Sequence, residues 1–301
     1  MGRFSFALER MFNYLKDPKV YLIGFVATII AGLVGYIPMF ILFMLGALTG
    51  SVGVVFIILA FLWGIADLFI FQIPVASVFA RIDKGLSVSA SIAEGIRHVK
   101  EMGIATIAYL ILTGTLIVIG YIMIIAGPTT TPALTVLGLI VLFVGFIVAL
   151  ICGIVFYPLL PVAYKERLGL AALSRSFSLV KSGLLPTIGM WFVTYAIASI
   201  VSMILYFGFY FIAVIGFVIS PSVWSSNPAA MNPAAMAIVG ILAVIFMLLM
   251  VVVISVIYLA STYATYEALA GSGTGPKPRP IIRHPPKVRR TKKAKTVKKR
   301  R

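Results

Sequence analysis

Long apolar stretches broken by short polar segments fill the first 270 residues. Six of them, 20–48, 52–80, 103–126, 132–163, 184–219 and 237–264, are long enough to cross a membrane, since a hydrocarbon core of about 30 Å needs roughly 20 residues of helix. Several exceed that minimum, so tilt, kinks or protrusion beyond the bilayer are expected. The pattern predicts an all-α integral membrane protein with six transmembrane helices arranged as three helical hairpins. Residues 1–270 would form the membrane domain, and the spans and their connections leave no room there for a soluble domain.

A second pattern precedes the first, third and fifth runs. Aligning Lys16, Lys100 and Lys181 brings Leu15, Val99 and Val180 together one position earlier. Phe12, Ile96 and Phe177 then coincide four positions earlier, and Leu8, Ile92 and Leu173 eight earlier, beside the small residues Ala7, Ser91 and Ala172. These offsets put apolar side chains on one helical face, with Arg10, Arg97 and Arg175 on others. Each hairpin is thus expected to follow a short amphipathic interfacial helix. Pro74-Val75-Ala76 and Pro161-Val162-Ala163 close the second and fourth runs, and Tyr263-Ala264 is a weaker third copy. An internal repeat follows, with units of about 1–84, 85–169 and 170–270. Mitochondrial-type carriers also have three hairpin units, but their Pro-x-acidic-x-x-basic signature is missing here.

Composition and charge add orientation. Hydrophobic residues make up 61% and charged residues 11% of the 301, with 25 Lys and Arg against 8 Asp and Glu; such a balance excludes a soluble domain. Four, four, four and 13 of the basic residues lie in 1–19, 81–102, 165–183 and the tail after residue 270, whereas 49–51, 127–131 and 220–236 carry no charge. Because basic segments resist translocation, both ends are expected in the cytoplasm of a multi-pass cell-membrane protein. The basic stretch before the first run resembles a secretion signal in order, but the run is too long, and it is expected to be a retained helix. The single cysteine, Cys152, allows no intramolecular disulfide. Neither Asn227 nor Asn232 stands in a glycosylation sequon, since proline follows each.

Residues 159–192, LLPVAYKERLGLAALSRSFSLVKSGLLPTIGMWF, carry Pro161, Glu166, Gly169, Ala172, Arg175, Ser176, Phe177, Lys181 and Gly183. This segment resembles the membrane domain associated with glycerophosphoryl diester phosphodiesterases, and related multi-pass families of unknown function. The resemblance covers about a tenth of the chain, with Phe177 in place of a tryptophan and Leu184-Leu185-Pro186 in place of a polar-aromatic stretch. It implies a six-helix membrane domain. It implies no enzymatic role, because the phosphodiesterase activity of such proteins belongs to a separate soluble barrel.

Candidate chemistry is sparse. Asp67 is the one charged side chain deep inside a predicted span. At about 3 kcal/mol on insertion scales it should face protein or water. By depth, Thr113, Thr115, Thr194, Tyr195, Ser255 and Tyr258 are its prospective hydrogen-bond partners. It would be either a proton or cation site in a translocation path or a carboxyl tying helices together; the tying role is preferred, because transport sites bring more than one intramembrane polar group. The prolines Pro38, Pro74, Pro158, Pro161 and Pro186 are read as kinks. The aromatic residues around Tyr206 to Phe211 are read as packing or an interfacial belt. Glu166 is placed to pair with Arg167 and Arg175, and Glu94 with Arg97, as solvated surface pairs. His98 has no companion at ligand spacing, so no metal and no cofactor are expected. No nucleophile–base arrangement or phosphate-cradling glycine motif emerges, so an enzyme is not expected.

The last stretch, 271–301, differs in kind. A Gly/Ser then Pro-rich spacer leads into Lys287, Arg289, Arg290, Lys292, Lys293, Lys295, Lys298, Lys299, Arg300 and Arg301 without one acidic residue. Such a tail is expected to be disordered. It would bind anionic lipid headgroups at about 1 kcal/mol per basic residue, or a peripheral protein or RNA by the same electrostatics; without aromatic residues to stack bases it would not read RNA specifically. Two functions remain: a non-enzymatic scaffold or membrane-organising component, or a permease or lipid-handling transporter with its path near Asp67.

Overall fold

Where each helix begins and ends follows from a few local residues. The computed structural model describes residues 2–49, 53–129, 131–219 and 233–271. Among them are ten α-helices and no strand: α1 (Arg3–Leu15), α2 (Pro18–Leu48), α3 (Gly53–Ile70), α4 (Gln72–Lys84), α5 (Val88–Ala126), α6 (Pro132–Val155), α7 (Leu159–Glu166), α8 (Ala172–Ser182), α9 (Leu184–Ile219) and α10 (Pro233–Ala270). Asp17 separates α1 from α2: its Oδ1 accepts the Lys19 backbone N–H at 3.1 Å, and Pro18 takes the first helical position, where a missing N–H costs nothing. Gly85 closes α4 in the left-handed conformation (φ 65°), its N–H bonded to the Arg81 carbonyl at 2.9 Å.

Six stretches, Pro18–Leu48, Gly53–Lys84, Val88–Ala126, Pro132–Val155, Leu184–Phe211 and Gly240–Ala270, are helical, long and apolar enough to cross a membrane. The second apolar run is divided between α3 and α4, and the fourth between α6 and α7. In both, the new helix starts two residues before a Pro-Val-Ala sequence. Proline lacks the N–H for its bond to residue i−4, and its ring crowds that carbonyl, so a regular turn cannot run straight through. No proline stands at the matching place in α10, and α10 is unbroken.

The segment ahead of the third run has no break of its own. Residues 88–102 and the span form one 39-residue helix, about 58 Å long at 1.5 Å per residue, so its first turns project beyond the hydrocarbon. Gly103 at the junction stays helical with the Phe69 ring packed directly on it. A lone glycine costs a helix only about 1 kcal/mol, far less than the Asp-Pro pair that ends α1.

Each hairpin packs along its own length, α2 with α3, α5 with α6, and α9 with α10. In α5–α6 the backbones come close through small residues: a Cβ on Gly120 would stand 2.6 Å from the Leu142 nitrogen, and one on Gly138 2.9 Å from the Gly120 carbonyl oxygen. The hairpins are joined at the end that carries the charged segments. There α1 lies on α10 and α9, the first turns of α5 lie on α4, and α8 lies on α7 and α10. Val20, Ile23, Phe79, Met102, Val162, Tyr164, Val180, Val256 and Tyr263 form the buried core of that junction. Toward the other end large side chains such as Phe40, Phe61, Phe143 and Phe211 are exposed, as suits lipid-facing positions in a bilayer.

Candidate functional site

Two places hold the chemistry that the sequence singled out. The first is Asp67, on the face of α3 that meets α2. It is 6% exposed, and its Oδ1 has no hydrogen-bond partner among the described residues. Its carboxyl fills the space that a side chain at Gly35 would need. One turn earlier, the Trp63 Nε1–H donates to the Gly35 carbonyl at 2.8 Å. So α2 approaches α3 closely here because residue 35 has no Cβ, and the Asp67 carboxyl occupies that contact.

None of the hydroxyls expected to reach Asp67 bonds to it among the described residues. Thr113 donates to the Tyr109 carbonyl at 2.9 Å, and Thr115 to the carbonyl of Ile111. Tyr195 is exposed and stacked on Trp191, with centroids 5.8 Å apart. Thr194 belongs to a buried cluster with Tyr157 and Ser261: the Tyr157 phenol lies 2.9 Å from the Thr194 hydroxyl and 2.8 Å from that of Ser261, and the two hydroxyls touch each other. That cluster ties the α6–α7 turn to α9 and α10. Ser255 is exposed and Tyr258 half-buried, and neither hydrogen-bonds to Asp67 among the described residues. The carboxyl packs between two helices of one hairpin without being hydrogen-bonded by a second.

The second place is the charged end, where ion pairs join elements far apart in sequence. Asp17 receives the Arg81 guanidinium at 2.7 Å, and the same arginine donates to the carbonyls of Gly85 and Leu86 at 2.8 and 2.7 Å. Lys165 on α7 pairs with Asp83 on α4, and the Tyr14 phenol on α1 donates to Glu267 on α10. Arg175 meets both oxygens of Glu166 at 3.2 and 3.0 Å, and the Tyr266 phenol adds a bond at 3.3 Å. Glu94 takes Lys84 at 2.6 Å, Arg97 at 3.3 Å and His98 Nε2 at 3.4 Å. The pairs Glu166–Arg175 and Glu94–Arg97 thus form as expected, whereas Arg167 takes no part in them.

An aromatic chain runs beneath these pairs. His98 lies 4.5 Å from Tyr164, Tyr164 5.7 Å from Phe79, Phe79 5.4 Å from Tyr263, and Tyr263 6.0 Å from Tyr14. Burial first, and then the neighbouring Asp83 and Glu94 carboxylates, hold the Tyr164 phenol well above its ordinary value. Burial and the adjacent Glu267 do the same for Tyr14. Both phenols remain protonated at any physiological pH; Tyr14 donates to Glu267, whereas the buried Tyr164 hydroxyl has no hydrogen-bond partner among the described residues. Sequence reasoning missed this cluster. The available signal was the placement of Tyr164 and Tyr263 beside the Pro-Val-Ala column, each followed within four residues by a glutamate.

Such an arrangement holds elements together; among the described residues no three His, Cys, Asp or Glu side chains are grouped to take a metal ion. The tail residues Lys287, Arg289, Arg290, Lys292, Lys293, Lys295, Lys298, Lys299, Arg300 and Arg301 lie outside the described residues. No family model, no curated protein and no solved structure matches the chain.

Proposed function

We propose that this multi-pass helical protein is a non-enzymatic scaffold or membrane-organising component of the cell membrane. Its basic face and tail, on the cytoplasmic side, would engage anionic lipid or a peripheral partner. The reading is carried by one observation: the ion pairs and phenol–carboxylate bonds that join distant elements all lie at the end bearing the basic segments. In sequence, the segment with the 13 basic residues of the tail comes after Ala270, the last residue of α10. The resemblance of residues 159–192 to a membrane domain whose catalytic barrel is a separate unit agrees with a role apart from catalysis. To test it, the protein is reconstituted in zwitterionic nanodiscs and capture of phosphatidylglycerol vesicles is followed against salt. Deleting residues 271–301 should remove most of the capture, and added salt should weaken it in the full chain. Capture that is unchanged by the deletion and insensitive to salt refutes the tail's part.

A second reading, a permease or lipid-handling transporter, is favoured by the uncompensated Oδ1 of Asp67. It requires Asp67→Asn to abolish flux while the protein stays folded. A variant that changes only thermal stability removes the main residue of that reading.

A further inference from the structure

Lys16, Lys100 and Lys181 stand at matching positions ahead of the three hairpins, and the structure gives all three the same surroundings. Each is exposed, and among the described residues none of their side chains takes part in an ion pair or hydrogen bond. Most other basic side chains of the described segments are engaged: Arg3 by the Ser182 carbonyl, Arg10 over the Phe6 ring, and Arg81, Lys84, Arg97, Lys165 and Arg175 by carboxylates.

Four residues before each lysine, hence one turn away on the same face, comes a large apolar side chain left in the open: Phe12 (44% exposed), Ile96 (56%) and Phe177 (52%). The opposite face is buried in all three cases, through Ala7 and Met11, Ser91 and Gly95, and Ala172 and Ser176. An exposed apolar residue is unremarkable alone; three at one register, each beside an unpaired cation and at the start of a span, specify a boundary environment. Phe or Ile enters the acyl margin while the lysine stem follows it and lifts the ammonium to phosphate depth.

We infer that Phe12–Lys16, Ile96–Lys100 and Phe177–Lys181 are three equivalent seats for the phosphate headgroup of an anionic phospholipid, one per hairpin unit. Of the helices bearing them, α1 and α8 both lie on α10 and α9, and α5 lies on α4. Three sites of one build, each an unpaired cation beside an exposed apolar side chain at the start of a span, call for a ligand present in several copies along the membrane boundary, which anionic phospholipid supplies. The inference rests on the membrane-surface reading above but uses no tail residue, so the two fail separately.

The test counts lipids retained by the full-length protein in detergent by native mass spectrometry. Phosphatidylglycerol and phosphatidylcholine of identical acyl chains serve as probes, with inorganic phosphate as competitor. The expected result is three retained phosphatidylglycerol molecules that phosphatidylcholine does not replace and free phosphate does not displace. Lys16→Gln, Lys100→Gln and Lys181→Gln should each remove one and weaken binding about fivefold per site, and Lys→Arg at the same sites should restore it. Lys19→Gln with Arg167→Gln also neutralises exposed basic residues, but the apolar residues four positions earlier, Leu15 and Ala163, are packed into the core instead of exposed, so this variant should leave the count intact. A full-length chain with the ten tail residues from Lys287 to Arg301 changed to Gln should also keep the three. If that chain loses only its diffuse, salt-sensitive binding, both readings stand. Full retention of phosphatidylglycerol by the triple Lys→Gln variant, or equal retention of phosphatidylcholine by the unaltered protein, overturns the inference.

Discussion

Replacing Asp67 by alanine should stabilise the protein. The Oδ1 atom is buried without a partner, a condition worth about 1–3 kcal/mol against the folded state. The insertion cost of an aspartate in a span, about 3 kcal/mol, is carried by the unfolded in-membrane helix as well and drops out of the difference. Removing the carboxyl leaves a void no larger than two or three heavy atoms against Gly35, which gives back about 1 kcal/mol. The net expectation for Asp67→Ala is a gain of up to about 2 kcal/mol, read as a shift in the unfolding midpoint during dodecyl sulfate titration from bicelles.

The contact itself is tested by a cycle with Gly35→Ala. A Cβ at position 35 collides with the Asp67 carboxyl, and overpacking of this kind costs about 1–3 kcal/mol. In the Asp67→Ala background the collision is gone, so Gly35→Ala should be close to neutral and the coupling should equal most of the single-variant cost. The Trp63 bond to the Gly35 carbonyl is common to both backgrounds and cancels. Asp67→Ala that destabilises by 1 kcal/mol or more would falsify the claim that the carboxyl is uncompensated. Equal costs of Gly35→Ala in the two backgrounds would show that the two residues do not meet.

Three other substitutions probe the remaining architecture. Arg167 closes α7 with φ 53°, a conformation that costs a side-chain-bearing residue about 1–2 kcal/mol, so Arg167→Gly should raise stability by about 1 kcal/mol in the same titration. Gly138→Val should push α6 away from α5, costing about 3 kcal/mol or more, and should abolish disulfide trapping between cysteines placed across that hairpin in a Cys152→Ala chain. Tyr157→Phe removes one phenol but leaves Thr194 and Ser261 bonded to each other, so a loss of only about 1 kcal/mol is expected by thermal unfolding.

The membrane class was legible because a span is a long-range average over about 20 residues, and no local detail overrides it. Helix ends were legible where backbone chemistry decides them, as at Asp17-Pro18. The continuity of α5 was not, because Gly103 is a weak breaker and the ring of Phe69 that packs on it comes from another helix. Asp67 stood out by its isolation in an apolar run, yet its neighbour Gly35 did not: a glycine needed for close approach reads like any other glycine in a span. Ion pairs inside one segment, such as Glu94–Arg97, follow from spacing. Asp17–Arg81 and Lys165–Asp83, 64 and 82 residues apart, exist only once the hairpins have assembled. The tyrosines near the hairpin ends fit an interfacial belt equally well from sequence, and only the fold turns them into a core.

The distribution of these contacts bears on which function is favoured. A transport path through the bundle requires the two ends to open in alternation. Opening the charged end would separate α1 from α10, α2 from α4 and α4 from α7, breaking Tyr14–Glu267, Asp17–Arg81 and Lys165–Asp83 together. Arg81 would also release the Gly85 and Leu86 carbonyls; each partly exposed pair contributes about 1 kcal/mol at most, so opening is opposed by a few kcal/mol in all. A surface that must hold its shape to receive lipid or a partner gains from the same bonds, because they fix the three leading helices relative to one another. The bonds gathered at the basic end therefore weigh toward a rigid platform at the membrane surface and against a gate there.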